Sequence, residues 1–256
     1  MEVNQKNDYK YLFGLVGKNI NYSFSRGYFK TKFENEHLTN CFYTNFDIPS
    51  IEEFPKLIKQ HPNIKGFNVT IPYKESIIPY LDTLDDTAKS IGAVNTIEVK
   101  DSKLIGHNTD YYGFMKSLEP NLNKNHTKAL ILGTGGAAKA VAYVMRLLKI
   151  DYNLVSRTSK PHQLTYNNLN TEILDKYHLI INTTPLGTFP EISNKPDIPY
   201  NLLTEKHLLF DLIYNPEKTT FLTLGEEKGA SIANGSKMLV LQAEKAWEIW
   251  KQNLNL

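Results

Sequence analysis

The sequence predicts an α/β fold with largely parallel sheets. Short apolar, strand-like runs alternate with helix-like segments along most of the chain. The alternation restarts near the middle, at a second apolar strand that runs into a long helix. With 256 residues, 41% hydrophobic and 22% charged, the chain can build one large or two modest domains around ordinary cores.

The elements of the first half follow in order. Tyr11 to Gly17 reads as a short apolar strand ending at a glycine. Phe24 to Leu38 is helix-like, with Phe29, Phe33 and Leu38 available for one face. Cys41 to Ile48 is a second strand. Ile51 to Gln60 reads as a helix, with Glu52 and Glu53 early and Lys59 late, as the helix dipole prefers. Gly66 to Thr70 is a third strand, stopped by Pro72. Lys74 to Leu81 and Asp85 to Ile91 are expected to be helical. Ala93 to Val99 and Lys103 to Gly106 form a predicted hairpin around Lys100-Asp101-Ser102.

In the second half, Tyr111 to Leu118 reads as a helix placed to bridge two domains, and Asn121 to Thr127 as a polar connection. Lys128 to Gly133 is an apolar strand, followed by a glycine loop and a helix from Ala137 to Lys149. Tyr152 to Ser156, His178 to Thr184 and Leu208 to Tyr214 are further strands. A last helix, about Lys237 to Gln252, is expected to fold back on the first domain, because an amphipathic helix needs a surface to cover.

Bulk properties narrow the function classes. A net charge of +2 gives no general electrostatic reason to bind nucleic acid or an anionic membrane. Cys41 is the single cysteine, so no intrachain disulfide can form, and its apolar surroundings suggest a buried thiol. Met1 to Lys10 has no apolar core of a secretory signal, and no run approaches the roughly 18 apolar residues that span a bilayer. These features lead us to expect a soluble, cytoplasmic protein. The histidines show no ligand-like spacing with Cys or carboxylates, so no metal is expected.

The glycine loop carries the first functional signal. Ala129-Leu130-Ile131-Leu132 is a continuous apolar run, as a strand buried on both faces requires. Gly133 ends it. Gly135 and Gly136 lack side chains, so their backbone can approach a pyrophosphate closely. The helix from Ala137 then turns unpaired N–H groups and a positive dipole end toward that anion. A bare tight turn is the competing reading, but strand, loop and helix in this order favour a dinucleotide. About 20 residues on, NAD enzymes place a carboxylate for the ribose 2′-OH. This chain has Ser156-Arg157-Thr158-Ser159-Lys160 there, with two cations and no acid. Arg157 can stack on adenine and meet a 2′-phosphate, and Lys160 adds charge, which argues for NADP.

The first half adds three polar motifs at element ends: Asn68 to Lys74, Gly92 to Thr96 and Gly106 to Asp110. Strand ends beside helix starts are where α/β sheets bind ligands. Hydride transfer to a ketone leaves an alkoxide that must take a proton. A lysine can supply it where desolvation or a nearby cation brings its pKa toward neutrality. A neighbouring carboxylate works the other way, so the role open to Asp110 is to orient Lys74 and share in proton handling. Plain alternatives stand beside these roles. Lys74 fits a surface lysine, Asp110 fits a helix N-cap, and Ser23 and Ser25 fit caps of the helix near Phe24.

Together these motifs resemble the shikimate dehydrogenase family over nearly the whole chain. N-V-T-x-P-x-K matches Asn68 to Lys74, G-A-V-N-T matches Gly92 to Thr96, and G-x-N-T-D matches Gly106 to Asp110. G-x-G-G-A matches Gly133 to Ala137, N-x-T-x-x-G matches Asn182 to Gly187, and G-x-x-M-L-x-x-Q-A matches Gly235 to Ala243. Each is weak alone, but their order makes the set specific. The resemblance implies reversible reduction of 3-dehydroshikimate to shikimate by NADPH, on the chorismate route to aromatic amino acids. It implies a catalytic pair, Lys74 and Asp110. It implies substrate contacts from Ser23, Ser25, Thr70, Asn95, Tyr214 and Gln242. Cofactor contacts are expected from Gly133, Gly135, Gly136, Ala137, Ser156, Arg157, Thr158, Lys160, Thr184 and Gly235.

The implied architecture is an N-terminal α/β substrate domain (residues 1–110, joined by the C-terminal helix 237–256) and a Rossmann-type NADP-binding domain (residues 111–236). The expected partners are small molecules, with the chain a monomer or homodimer. One loop departs from the family. Where relatives read G-x-P-x-x-H-S-x-S-P, this chain reads Gly17 to Arg26 with neither proline nor histidine, although Ser23 and Ser25 keep their spacing. Arg26 stands at the second proline's position, where it can add a cation near the substrate carboxylate.

Overall fold

A computed structural model describes residues 9–21 and 23–256. The expectation for Met1 to Lys10 lies, up to residue 8, outside the described residues, as does Tyr22. Two compact units emerge: Met1–Thr109 with Ala243–Leu256, and Asp110–Gln242. The sequence predicts these junctions at 110/111 and 236/237. The return falls later in the chain, and Met238, at the start of the last helix, packs in a core of the second unit.

The first unit contains β1 (Tyr11–Gly17), α1 (Phe24–Asn35), β2 (Cys41–Asp47), α2 (Phe54–Gln60) and β3 (Ile64–Val69). There follow β4 (Thr83–Leu84), α3 (Asp86–Ile91), β5 (Thr96–Lys100) and β6 (Lys103–His107). Strand order is β2-β1-β3-β5-β6-β4. β1, β2 and β3 are parallel, β5 runs antiparallel to β3 and β6, and β4 is parallel to β6.

Side chains alternate across a strand. Leu12 and Val16 of β1 therefore enter one core with Phe54 and Phe67, while Tyr11, Phe13 and Leu15 enter another with Phe29 and Phe33. Cys41 is buried in the second of these cores, and burial pushes its thiol up to about 11.

Helix α1 stops before Leu38 because His37 takes a left-handed conformation (φ 55°), with Leu38 N–H bonding back to Phe33 O and His37 N–H to Glu34 O. These are the bonds of a Schellman ending. The expected helix from Lys74 to Leu81 is not formed. A run of turns closes instead in a short 3₁₀ segment, Ile78–Tyr80. Pro79 has no N–H to give, and its ring opposes the carbonyl four residues back, so an α-helix cannot pass through it.

The last helix, α8 (Ser236–Lys251), brings Ala243, Ala246, Trp247 and Trp250 into the first unit's core beside Phe13 and Phe29, as expected of its C-terminal part. Trp250 is 1% exposed and donates its indole N–H to Ile97 O at 3.0 Å. Gly66 makes room for it, since a Cβ there would collide with the indole.

The second unit contains α4 (Asp110–Leu118), β7 (Lys128–Leu132), α5 (Gly136–Leu147), β8 (Asp151–Ser156), β9 (Leu164–Thr165) and α6 (Thr171–Leu174). It continues with β10 (Leu179–Asn182), β11 (Leu208–Asp211), α7 (Thr220–Glu226), β12 (Ser231–Ala233) and the start of α8. All six strands are parallel, in the order β9-β8-β7-β10-β11-β12. That is the order 3-2-1-4-5-6 of a dinucleotide-binding sheet, which reverses direction between β7 and β10. Ala129 and Ile131 face one core, Leu130 and Leu132 the other.

Within the first unit, His107 on β6 lies between two carboxylates. Nδ1 is 2.9 Å from Asp85, whose other oxygen caps α3, and Nε2 is 3.2 Å from Glu98. Both ring nitrogens donate only in the imidazolium form. Burial lowers its pKa, but the hydrogen bonds and charges of Asp85 and Glu98 outweigh burial and leave the pKa raised above 6.5.

Two outcomes are expected. Gly66→Ala displaces Trp250 and destabilises the protein by about 1–3 kcal/mol in urea unfolding. The His107 charge stabilises the fold fully below its ordinary value near 6.5, and this contribution is lost as pH rises through the raised folded value. Melting temperatures measured across that range should converge at alkaline pH for wild type and His107→Gln.

Candidate active site

In the first unit the candidate residues gather at one sheet edge. Parallel β1 and β3 end there, antiparallel β5 begins there, and β6 ends there, with Asn68 opposite Thr96 and Thr96 opposite His107. Gly17 lies so close to Thr70 that an added Cβ would come within 2.6 Å of the threonine methyl. Ser23 caps α1, accepting from Ser25 N–H at 3.2 Å.

Behind this edge a buried hydrogen-bond chain links the motifs. Tyr43 donates to Asn68 Oδ1 at 2.8 Å. Asn68 donates to Thr96 Oγ1 at 3.3 Å, and Thr96 bonds to Asn95 Oδ1 at 3.2 Å. Asn95 accepts from Thr109 N–H at 2.6 Å and donates to Thr109 Oγ1 at 3.0 Å. Asn95 is thus locked in place and is 2% exposed, and Ser25 is 8% exposed. Lys74 is half-buried, and its carbonyl accepts from Val94 N–H at 2.7 Å, which ties the Asn68 to Lys74 motif to the Gly92 to Thr96 motif. Tyr43 comes from β2, outside every motif, so its place in this chain had no local sequence signal.

The second unit holds the remaining candidates. Asp110 opens α4 and is 6% exposed. Gln242 lies on α8, donating to Leu239 O at 2.9 Å. Gly113 lets α4 approach α8, since a Cβ would sit 2.6 Å from Met238 O.

The cofactor candidates collect at the carboxyl ends of β7, β8, β10 and β12. Gly133 has φ 114°, and a Cβ on it would press on Thr183 Oγ1 at 2.6 Å. Gly135 faces open space within 4 Å and gives α5 no side-chain cap, which leaves the first-turn N–H groups of Gly136 and Ala137 for a ligand. Ser156 ends β8, and Arg157, Thr158 and Lys160 follow it, all exposed. Thr158 N–H bonds to Ser156 Oγ at 3.3 Å. A glycine cradle at a strand-order reversal, an uncapped helix start and two exposed cations fit a phosphorylated dinucleotide.

Strands β10 and β11 both end earlier than expected, at Asn182 and Asp211. Each side chain captures an amide two residues on: Asn182 Oδ1 takes Thr184 N–H at 3.0 Å, and Asp211 Oδ1 takes Ile213 N–H at 3.0 Å. Such local bonds replace the next ladder bond. The two are register partners, and Asn182 also donates to Asp211 at 3.0 Å. Burial pushes the Asp211 carboxyl up to about 6, against the pull of the donors from Thr219, Ile213 and Asn182. Tyr214 follows, half-buried. Gly235 donates its N–H to Ile213 O at 3.0 Å, and any Cβ there would overlap Leu212 O. No local sequence signal marks Asp211 and Thr219, because their contact is between side chains across a loop. Among the described residues no group of three or more His, Cys, Asp or Glu can hold a metal ion, and no helix is long and apolar enough to cross a membrane.

Residues 15–97 match the profile of the shikimate dehydrogenase substrate binding domain. The NADP(+) shikimate dehydrogenase of Clostridium botulinum is 40% identical over 254 residues, covering 95% of this chain and 97% of the relative. Among solved structures, shikimate dehydrogenase 1 of Peptoclostridium difficile superposes with a TM-score of 0.83 at 36% identity, covering 94% of this chain and 92% of that one. The Thermus thermophilus enzyme, solved with NADP(H) and shikimate, gives a TM-score of 0.83 at 29% identity, covering 95% and 94%. With its motifs in order, its two units folded as described and near-full-length identity of this level, the chain belongs to the shikimate dehydrogenase family.

Proposed function

We propose that this protein catalyses the reversible reduction of 3-dehydroshikimate to shikimate with NADPH, on the chorismate route to aromatic amino acids, as a cytoplasmic enzyme acting on small molecules. The observation that carries this reading is that one chain holds both a pre-bonded rim of hydroxyls and amides on its first sheet and an open glycine cradle on its second. The cofactor supplies the hydride. Gly133, Gly135, Gly136 and Ala137 present backbone to its pyrophosphate, with Thr184 and Gly235 beside them. Ser156, Arg157, Thr158 and Lys160 hold the adenosine end, and the two cations meet the 2′-phosphate.

Ser23, Ser25, Thr70, Asn95, Tyr214 and Gln242 hold the substrate's hydroxyls and carboxylate. Neutral donors suit that carboxylate, because releasing it leaves no buried charge behind. Because Asn95 is held from behind, little ordering entropy is lost on binding. Lys74 gives a proton to the oxygen of the former ketone, and Asp110 orients Lys74. In the reverse direction Lys74 takes that proton back from the hydroxyl.

The decisive assay adds shikimate to protein and NADP and follows the absorbance of reduced nicotinamide, with quinate and NAD in parallel. Shikimate with NADP should react fastest, and a preference for quinate or for NAD would overturn the assignment. Lys74→Ala should lower kcat by about 10²–10⁴-fold with NADPH affinity retained. Loss of affinity with kcat intact at saturation would remove Lys74 from catalysis. Arg157→Ala should raise KM for NADPH by roughly 10–100-fold while leaving the slow NAD reaction unchanged, because it removes a charge-assisted contact with the 2′-phosphate.

A further inference from the structure

The second unit buries one carboxylate that the proposed reaction does not touch. Asp211 is 0% exposed, and all its partners are donors. Asn182 Nδ2 and Ile213 N–H reach Oδ1 at 3.0 Å each, and the Thr219 hydroxyl reaches Oδ2 at 2.6 Å. No cation is among the groups acting on it. A buried carboxylate without a counter-ion weakens a fold, and a neutral side chain of the same shape avoids that cost. Stability therefore gives no reason for a carboxylate at this position.

What a carboxylate supplies is direction. It can only accept. Asn182 must turn its NH₂ group toward Asp211 and its carbonyl oxygen away, toward Thr184. That oxygen takes the Thr184 N–H at 3.0 Å and hydroxyl at 2.7 Å. With its proton spent inward, the Thr184 hydroxyl oxygen accepts from Leu186 N–H at 3.3 Å. These bonds point back to Asp211, and the same turn of the Asn182 amide lets its Nδ2 also donate to Leu186 O at 3.4 Å. The Thr219 arm does the same on the other side, since Thr219 caps α7 and anchors the segment that carries Tyr214. An amide in place of the carboxylate offers Asn182 both a donor and an acceptor, so Asn182 can reverse and release Thr184.

We propose that Asp211 is a positioning residue: as an acceptor-only group it fixes the direction of the hydrogen-bond chain Asp211–Asn182–Thr184–Leu186, and so holds the loop beside Gly133 in its cofactor-binding form. This rests on the reading of Thr184 as a cofactor contact.

The test compares wild type with Asp211→Asn by thermal melting, by fluorescence titration with NADPH alone, and by amide hydrogen exchange. The expected variant melts at or above the wild-type temperature at neutral pH. It binds NADPH at least tenfold more weakly and exchanges the Thr184 and Leu186 amides at least tenfold faster. Wild-type affinity and exchange in the variant would overturn the proposal. If wild type itself does not bind NADPH, the cofactor reading fails, and exchange alone then judges Asp211. Should Asp211→Asn not fold, Asn182→Ser cuts the chain between Asp211 and Thr184 and leaves the other two arms. The same loosening supports the proposal, and wild-type exchange with wild-type affinity overturns it.

Discussion

Alternate residues of β1 enter two different cores, and those of β7 enter two more. Neither sheet keeps a face for polar chemistry. In strands covered on both sides, polar groups are placed most cheaply where the backbone ladder ends. This constraint places the candidate groups. Thr70, Asn95 and Asp110 follow or precede strands, Gly133 and Thr184 follow parallel strands of the second sheet, and Ser156 ends one. Parallel pairing then sets several such ends side by side.

A strand end is also a place of unmet hydrogen bonds, and the two units meet them differently. The first spends motif side chains on one another, so that Asn68, Thr96, Asn95 and Thr109 form one buried network. The second closes each strand on its own side chain, at Asn182 and Asp211, and then joins the two closures. Either way the rim is stiffened from behind by groups that need not touch a ligand, which is how a site keeps its geometry between turnovers.

Much of this was legible in the sequence where the signal is local. The apolar runs at Tyr11, Lys128 and Leu208 mark strands because burial on both faces demands them. The glycine at 133 marks the end of its strand, where a φ of 114° would strain other residues. Other features are not local. Pro79 breaks a helical pattern that its neighbours otherwise satisfy. Helices α6 and α7 and strands β9 and β12 are short, so periodicity has too few residues to register. Tyr43 and Thr219 work through partners 25 and 8 residues away, which no spacing rule specifies. His107 occupies the variable position of its motif, so the motif says nothing about the two carboxylates that grip it.

The first unit is closed by residues far from it in sequence. Trp247 and Trp250 are among the side chains of its aromatic core, yet the whole second unit lies between them and Thr109. A ribosome makes the chain in one direction. When Thr109 has emerged, Phe13, Phe29 and Phe33 still lack the indoles that cover them. The second unit, made from one uninterrupted stretch up to Gln242, can finish first. The domain begun earliest is therefore completed last, and until then its nascent apolar surface must be kept from other chains.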